Sequence, residues 1–265
     1  KHEIIVVSHY IIWGDKEYLD RIDLQPQEFY QRLEMDERRP TTAQASVADF
    51  QTAIQMGVDQ GASEALILTV SSAMSGAYQM AISASEKAEI PVKVIDSKGP
   101  TMTLGWQTLA AARARNEGAT MDEIIQQVSQ VRERLVQTVG METLEYLQTG
   151  GRIGDAAKWV GTLLGVKPVV SINHQTGRVE PAGLARTHKS MVRMLYKKFF
   201  DGLKAGKNLH IAVLHGNALE EAHSMAEKIR EEFNPVELII NMTGPVLGIN
   251  TGPGALALCG YTEEE

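Results

Sequence analysis

The segment from Ala65 to Tyr78, which reads ALILTVSSAMSGAY, constrains the fold more than any other part of this chain. Its first six residues are aliphatic or β-branched and lack alternation, which predicts a strand buried on both faces of a parallel sheet. Serines and Gly76 then lead into a helix-competent stretch. Such a turn presents backbone N–H groups and hydroxyl donors at the helix start. It predicts an anion-binding turn, unless the serines only cap the helix.

The order of elements around this turn predicts an α/β fold. Strands are expected at residues 4–7, 65–70 and 91–95, with helices from Pro26 and after Ser46 between the first two, and a further helix after Gly76. Short connections of this kind favour a parallel sheet with helices packed on it. Ligands bind beyond the carboxyl ends of such strands, where the serine turn and Asp96-Ser97 both lie. For Asp96, we prefer the role of a cap on the helix near Thr101 to a catalytic role.

The pattern changes near Lys167. Residues 101–164 are predicted to be mostly helical, whereas later residues predict a hairpin, a long helix, a strand, a helix and another strand. The hairpin is expected at residues 168–181, and the later strands at residues 209–214 and 236–240. We therefore predict two α/β domains, 1–165 and 166–265, of which the first has a mainly parallel sheet.

Three other segments contain residues suited to ligand binding. Thr41, Thr42 and Gln44 precede the helix that Ser46 caps, in a predicted loop. The turn Gly150-Gly151-Arg152 either ends a helix or presents amides and a guanidinium to a phosphate. Residues 243–255 hold four glycines and two prolines, which indicates a shaped backbone but matches neither a dinucleotide-binding fingerprint nor a P-loop.

Composition excludes several classes of function. The 265 residues carry 26 Lys and Arg against 33 Asp and Glu, a net charge of -7, which disfavours nucleic-acid binding. Cys259 is the single cysteine, so neither an intramolecular disulfide nor a cysteine metal cluster is expected. No apolar run reaches the roughly 18 residues of a membrane span, and no secretory signal opens the chain. We predict a cytoplasmic protein without stable membrane insertion.

Several motifs, in order and spacing over nearly the whole chain, resemble those of the DegV family. These are bacterial fatty-acid-binding proteins that include the acyl-carrying subunit of fatty acid kinase. The matching segments are Glu28-Phe29-Tyr30, Pro40 to Ser46, Ser71 to Tyr78, Val94 to Ser97, Gly150 to Ile153, Lys167-Pro168 and Thr251 to Gly254.

The resemblance implies two α/β domains that hold a long-chain fatty acid in an apolar tunnel, with the carboxylate end between the domains. The family's carboxylate-binding threonine and serine match Thr42 and Ser75. The family's basic contact for phosphate or a partner matches Arg186, with Lys189 nearby. The implied partner is an ATP-binding fatty acid kinase subunit, and the chain itself is expected to be a binding protein without catalysis, cofactor or metal.

The chemistry of a buried carboxylate adds further candidates, because such a charge needs several donors. We expect the helix-start amides near Gly76, the Ser72 hydroxyl and the Asn250 amide to supply them. For the tunnel wall, Met74, Met80, Leu163 and Leu164 are candidates, although for each of them individually we prefer a role in core packing.

The sequence departs from the family pattern in three places. Ala77 replaces a threonine and removes a hydroxyl from the helix start. Asn250 replaces a histidine, which leaves a hydrogen-bonding group that cannot carry a proton or positive charge at neutral pH. Family members also begin with a strand ending in Thr-Asp-Ser, so the resemblance implies a first strand that this sequence does not include.

Two alternatives remain. A kinase-like subunit related to the dihydroxyacetone kinases would need a histidine to hold a small hydroxy-ketone, and neither the serine turn nor Thr251 to Gly254 contains one. An interaction module without a ligand would not need the hydroxyl and glycine clusters.

Overall fold

The computed structural model of the chain describes residues 2–159 and 165–264. The helices are α1 Pro26–Met35, α2 Val47–Asp59, α3 Ala77–Ser85, α4 Met102–Asn116, α5 Met121–Arg134, α6 Glu145–Thr149, α7 His188–Gly202, α8 Leu219–Phe233 and α9 Pro245–Thr251, with a 3-10 helix at Gly154–Trp159. The strands are β1 Tyr10–Trp13, β2 Lys16–Leu19, β3 Thr41–Ala43, β4 Ala65–Thr69, β5 Val92–Asp96, β6 Val136–Gly140, β7 Lys167–Asn173, β8 Arg178–Ala185, β9 Lys207–His215, β10 Glu237–Met242 and β11 Leu256–Glu263.

The described residues form three sheets, and the predicted architecture of two α/β units is confirmed. Strands β4 and β5 form a parallel pair, as the apolar run at Ala65 predicts. Strand β1 pairs antiparallel with β2 and β3. The largest sheet has the order β10-β9-β11-β6-β7-β8, in which β9 and β10 are parallel and the other pairs are antiparallel.

The largest sheet is covered on both faces, and each face carries its own apolar cluster. Alternate residues of a strand point to opposite faces, and β11 shows this clearly. Ala257 belongs to the core that contains Trp106 and Met141. Leu258 belongs to a second core, which also contains Phe199 of α7 and the apolar face of α8. The first of these faces carries the pocket described below.

Several local predictions are confirmed in the helices. Pro26 stands in the first turn of α1. Capping boxes begin α2 at Ser46 with Asp49, and α5 at Thr120 with Glu123, as the spacing predicts. These reciprocal hydrogen bonds satisfy backbone N–H groups that have no partner within the helix.

Two local predictions are wrong, and two segments contain an element that the sequence did not indicate. Within the described part, residues 4–7 belong to no sheet, because a run of apolar residues does not by itself supply a hydrogen-bonding partner strand. Thr42 lies on the short strand β3 and not in a loop. Strand β6 interrupts the region predicted to be helical. The glycine-rich segment contains α9, which Pro245 begins in its first turn.

Strand β6 also bears on the predicted domain boundary. It lies before residue 165, yet it pairs with β7 and β11 inside the largest sheet. The sheet therefore takes one strand from the range 1–165 and the others from 166–265. The division into domains stays a prediction.

Among the described residues, no helix combines the length and the hydropathy that a membrane-crossing segment needs.

Candidate functional site

A pocket lies between the largest sheet and the β1–β3 and β4–α3 regions. Gln137 and Val139 of β6 line it together with Met141, the residue after this strand, and these three residues span about 13 Å of extended chain. Its apolar wall consists of Val70, Met74, Pro100, Val139, Met141, Leu147, Val170, Ile172, Val179, Leu214, Val246, Leu247, Ala255, Leu256 and Ala257. Its polar wall consists of His9, Thr42, Gln44, Ser75, Gln137, Arg152, Thr243, Asn250 and Thr251.

Ser75 reaches the pocket from the turn between β4 and α3. The turn is fixed from within, because the backbone N–H groups of Met74 and Ser75 both donate to the carbonyl of Ser71. It is also tied to the hairpin β7–β8, where the buried Ser71 hydroxyl donates to the Gly177 carbonyl at 2.8 Å. The Ser75 hydroxyl is thus held at the helix start by backbone geometry.

His9 contacts Ser75, and sequence reasoning missed it. Its Nε2 lies 3.1 Å from Ser75 Oγ, and it also lines the pocket. Burial, with a smaller contribution from the Arg152 charge, lowers the pKa of His9 below its ordinary value, so the ring is neutral at neutral pH. His9 stands in an irregular segment before β1, where no local motif marks it.

Thr42 and Gln44 enter the same part of the pocket from β3. Thr42 is opposite Ile11 of β1 in the antiparallel ladder, which fixes the side to which its hydroxyl points. Gln44 packs against Gly76, where an added Cβ would lie only 3.3 Å from Gln44 Nε2. Gly76 was predicted to offer its amide to a carboxylate. It caps the start of α3, leaves room for the Gln44 side chain and does not itself line the pocket.

Arg152 places a cation at the pocket. Its Nε donates to the Met74 carbonyl at 3.0 Å, and a terminal nitrogen donates to the Gly150 carbonyl at 2.6 Å. These bonds hold an otherwise exposed guanidinium beside the serine turn. The turn Gly150-Gly151-Arg152 ends α6, as the first of its two interpretations has it. Its three backbone N–H groups donate to carbonyls of α6, so the guanidinium is the group that it presents to the pocket.

Asn250 lies in the pocket wall, but its amide is arranged differently from the prediction. Nδ2 donates to the Val246 carbonyl within α9 at 2.9 Å. Oδ1 is buried and has no hydrogen-bond partner among the described residues. It lies against Gly150, where a Cβ would collide with it. The amide nitrogen that was predicted to donate to a carboxylate therefore already has a hydrogen-bond partner within α9.

The prediction that the Ser72 hydroxyl donates to the ligand carboxylate is wrong. Its hydroxyl donates to Asp96 Oδ2 at 2.5 Å, and it is absent from the pocket wall among the described residues. Asp96 pairs with Lys98 at 2.8 Å. Burial raises the pKa of Asp96, but hydrogen bonds from Lys98 and Ser72 outweigh this and lower it overall. Asp96 therefore braces the serine turn, and the predicted cap on α4 is wrong because Thr101 holds that position.

Three other polar wall residues direct their side chains to protein partners, which the sequence did not indicate. The Gln137 amide bonds to Thr103 and Thr101 at 2.6 and 3.1 Å. Thr243 shares a 2.6 Å bond with Tyr30 and also donates to the His215 carbonyl. The Thr251 hydroxyl donates back to Leu247. The hydrogen bonds of these side chains are used within the protein. The remaining polar residues of the wall form the polar end of the pocket: His9, Thr42, Gln44, Ser75 and Arg152.

Arg186 and Lys189 lie outside the pocket wall and are exposed. They flank the start of α7, next to a network in which His188 bonds to Glu142 and Glu221 and Lys167 pairs with Glu142. Glu142 follows Met141 of the pocket wall, so this charged surface borders the pocket.

The residues predicted to line the tunnel lie in different places. Met74 lines the pocket, whereas Met80 packs in the core between α2 and α3. Leu163 and Leu164 lie outside the described residues.

Fold and site define a class of protein: an α/β protein with a mostly apolar pocket whose polar end combines hydroxyl, imidazole and guanidinium groups. The model of the family described as "Uncharacterised protein, DegV family" matches residues 1–263. This chain belongs to the DegV family.

Similar proteins and structures agree with this assignment. A DegV domain-containing protein of Halalkalibacterium halodurans is 29% identical over 98% of this chain and 92% of its own length. A solved structure titled for fatty acid binding by a DegV family protein from Thermus thermophilus has a TM-score of 0.89 at 28% identity, covering 98% of this chain and 92% of that one. The structure of DegV from Bacillus subtilis, described as a fatty acid binding protein, has a TM-score of 0.88 at 25% identity, with coverages of 98% and 92%.

Proposed function

We propose that this protein binds a long-chain fatty acid, with the tail in the apolar part of the pocket and the carboxylate at Ser75, Thr42 and Arg152. The observation that carries the proposal is the pocket itself, whose wall is mostly apolar and which has hydroxyl and guanidinium groups at one end. Similar proteins with the same fold are described as fatty acid binding proteins, which supports it.

Elementary energetics favour a long acyl chain. Each buried methylene contributes about 0.8 kcal/mol, so a chain of about sixteen carbons gains more than the cost of immobilising it. An isolated carboxylate in an apolar wall would cost several kcal/mol, and the donors at the polar end offset that cost. The pocket therefore suits a molecule with one anionic end and a long apolar remainder.

We also propose that the bound acid is presented, in the cytoplasm, to a separate ATP-binding kinase subunit that forms an acyl phosphate. Arg186 and Lys189 are the proposed contacts for phosphate or for that subunit. Their exposure beside the Glu142 network, at the border of the pocket, supports this role. Mixing the loaded protein with a fatty acid kinase subunit and ATP tests it, and acyl phosphate that forms equally with Arg186→Ala and Lys189→Ala would contradict the role of these residues.

The kinase-like alternative gains one observation, since His9 lies in the pocket. The wall beside it is apolar, however, and suits an acyl chain better than a small hydroxy-ketone. Incubation with ATP and dihydroxyacetone distinguishes the two, because a carrier shows no turnover.

Identification of the bound lipid tests the main proposal. Protein purified from bacteria is denatured and its ligand identified by mass spectrometry, and we expect a stoichiometric fatty acid. Delipidated protein should rebind palmitate, and Ser75→Ala and Thr42→Val should each weaken binding about tenfold, as for loss of a hydrogen bond to a charged group. Thr41→Val is the matched control, because Thr41 lies beside Thr42 but outside the pocket wall. A folded, delipidated protein that binds no palmitate would refute the proposal.

A further inference from the structure

His9 is placed to control the hydrogen bonding of Ser75. Two groups surround Ser75 Oγ: the backbone N–H of Ala77, which donates to it at 3.2 Å, and His9 Nε2, at 3.1 Å. We infer that His9 is a positioning residue whose Nε2–H donates to Ser75 Oγ and thereby directs the serine proton to the ligand carboxylate. The inference rests on the proposed function and adds to it the group that orients the head-group contact.

The inference follows from the hydrogen-bonding capacity of a serine. A hydroxyl has one proton to donate and two lone pairs that accept. Ala77 N–H occupies one lone pair, and His9 Nε2–H occupies the other. Ser75 can then act only as a donor. With the opposite tautomer, Ser75 would give its proton to the imidazole and turn a lone pair toward the carboxylate, which is repulsive.

The surroundings of His9 favour a neutral ring in this role. The imidazole is partly buried and close enough to Arg152 for the guanidinium to oppose its protonation. Arg152, fixed by the Met74 and Gly150 carbonyls, supplies the positive charge at this end of the pocket. His9 therefore contributes direction to the hydrogen bond, whereas Arg152 contributes charge.

This arrangement selects the chemistry of the head group. A serine that can only donate suits a carboxylate, whose oxygens only accept. A fatty alcohol also has an O–H group that needs an acceptor, and Ser75 cannot accept it while His9 occupies the second lone pair. Removing the His9 donor should therefore weaken palmitate binding more than binding of 1-hexadecanol.

A double-mutant cycle on the full chain tests the inference. His9→Leu removes the ring nitrogens at similar size, and His9→Gln returns an N–H near the position of Nε2. We expect His9→Leu to weaken palmitate binding about fivefold to tenfold, the effect of one hydrogen bond, and His9→Gln to recover most of that loss. In the Ser75→Ala background, His9→Leu should change the affinity less than twofold, because its effect passes through Ser75.

A second measurement is made on the wild-type protein, and a variant is needed only to assign the signal. Nitrogen-15 NMR of histidine side chains, with the His9 signal assigned from its loss in His9→Gln, reports which ring nitrogen is protonated. We expect the Nε2-protonated form when palmitate is added. A ring protonated on Nδ1 alone in the loaded protein would overturn the inference.

The outcomes separate this inference from the proposed function. If wild-type protein binds no palmitate, the proposed function fails. If wild type binds but His9→Leu binds equally well, or loses the same factor with and without Ser75, His9 does not position the serine and only this inference fails.

Discussion

Substitution of Ala257 by leucine should shorten the space available to a bound chain. Ala257 lies on β11, where it is opposite Val139 of β6 and Leu214 of β9, and all three residues line the pocket. Its side chain is 5% exposed, so added atoms must enter the pocket or the core around it. Leucine adds three carbon atoms at this point of the wall.

The expected magnitude comes from the methylenes that those atoms displace. If about three methylenes of the ligand lose their place, at about 0.8 kcal/mol each, the loss is about 2.4 kcal/mol. That corresponds to about 60-fold weaker binding. The effect should depend on chain length, because an acid too short to reach Ala257 loses nothing.

The assay is the affinity of delipidated protein for straight-chain acids from about eight to about eighteen carbons. Ala182→Leu is the matched control: Ala182 lies on β8 of the same sheet, but it packs with Met191 and Met194 of α7. We expect it to leave every affinity unchanged. Equal loss at all chain lengths, or unchanged affinity for long acids in a folded Ala257→Leu protein, would refute the placement of the tail.

Three further predictions concern charge and packing. Arg152→Gln should weaken palmitate binding at low salt and less near 1 M salt, where the screening length falls to about 3 Å; equal losses at both would exclude a charge effect. Burial raises the pKa of Asp20 from 3.8 to about 6, so the folded carboxyl holds its proton more tightly than the unfolded one. Wild type should therefore lose stability as pH rises through that window, and Asp20→Asn should remove the loss in melting curves against pH. Gly248→Ala should lower the free energy of unfolding by about 1–3 kcal/mol, because the added Cβ would lie 2.8 Å from Tyr30 Oη. Gly57→Ala, where the added Cβ makes only ordinary contacts and the residue lies in α2, should raise it by about 0.5–1 kcal/mol. Denaturant titrations measure both changes.

Local patterns in the sequence predicted much of the fold. The apolar run at Ala65 is a parallel strand, and the capping boxes at Ser46 and Thr120 begin helices. Each of these signals depends on atoms a few residues apart, so the sequence alone contains it. Strand β6 was missed for the opposite reason: its partners β7 and β11 lie far along the chain, and five residues directly after a helix carry no separate signal.

The candidate site shows the same division between local and distant contacts. The sequence indicated Ser75 and Thr42 through motifs and the family resemblance, and both line the pocket. Ser72 was wrong because Asp96, from the next strand, takes its hydroxyl. His9 was missed because it is separated from Ser75 by 66 positions and stands in no motif.

The sequence by itself thus determined the α/β class, the serine turn between β4 and α3, and the family. Only the tertiary structure decided which polar groups share the pocket and which are already bound to protein. The physical reason is that helix caps, turns and strand periodicity arise from neighbours along the chain. A binding pocket, by contrast, depends on which distant side chains meet and on where each hydrogen-bonding group finds its partner.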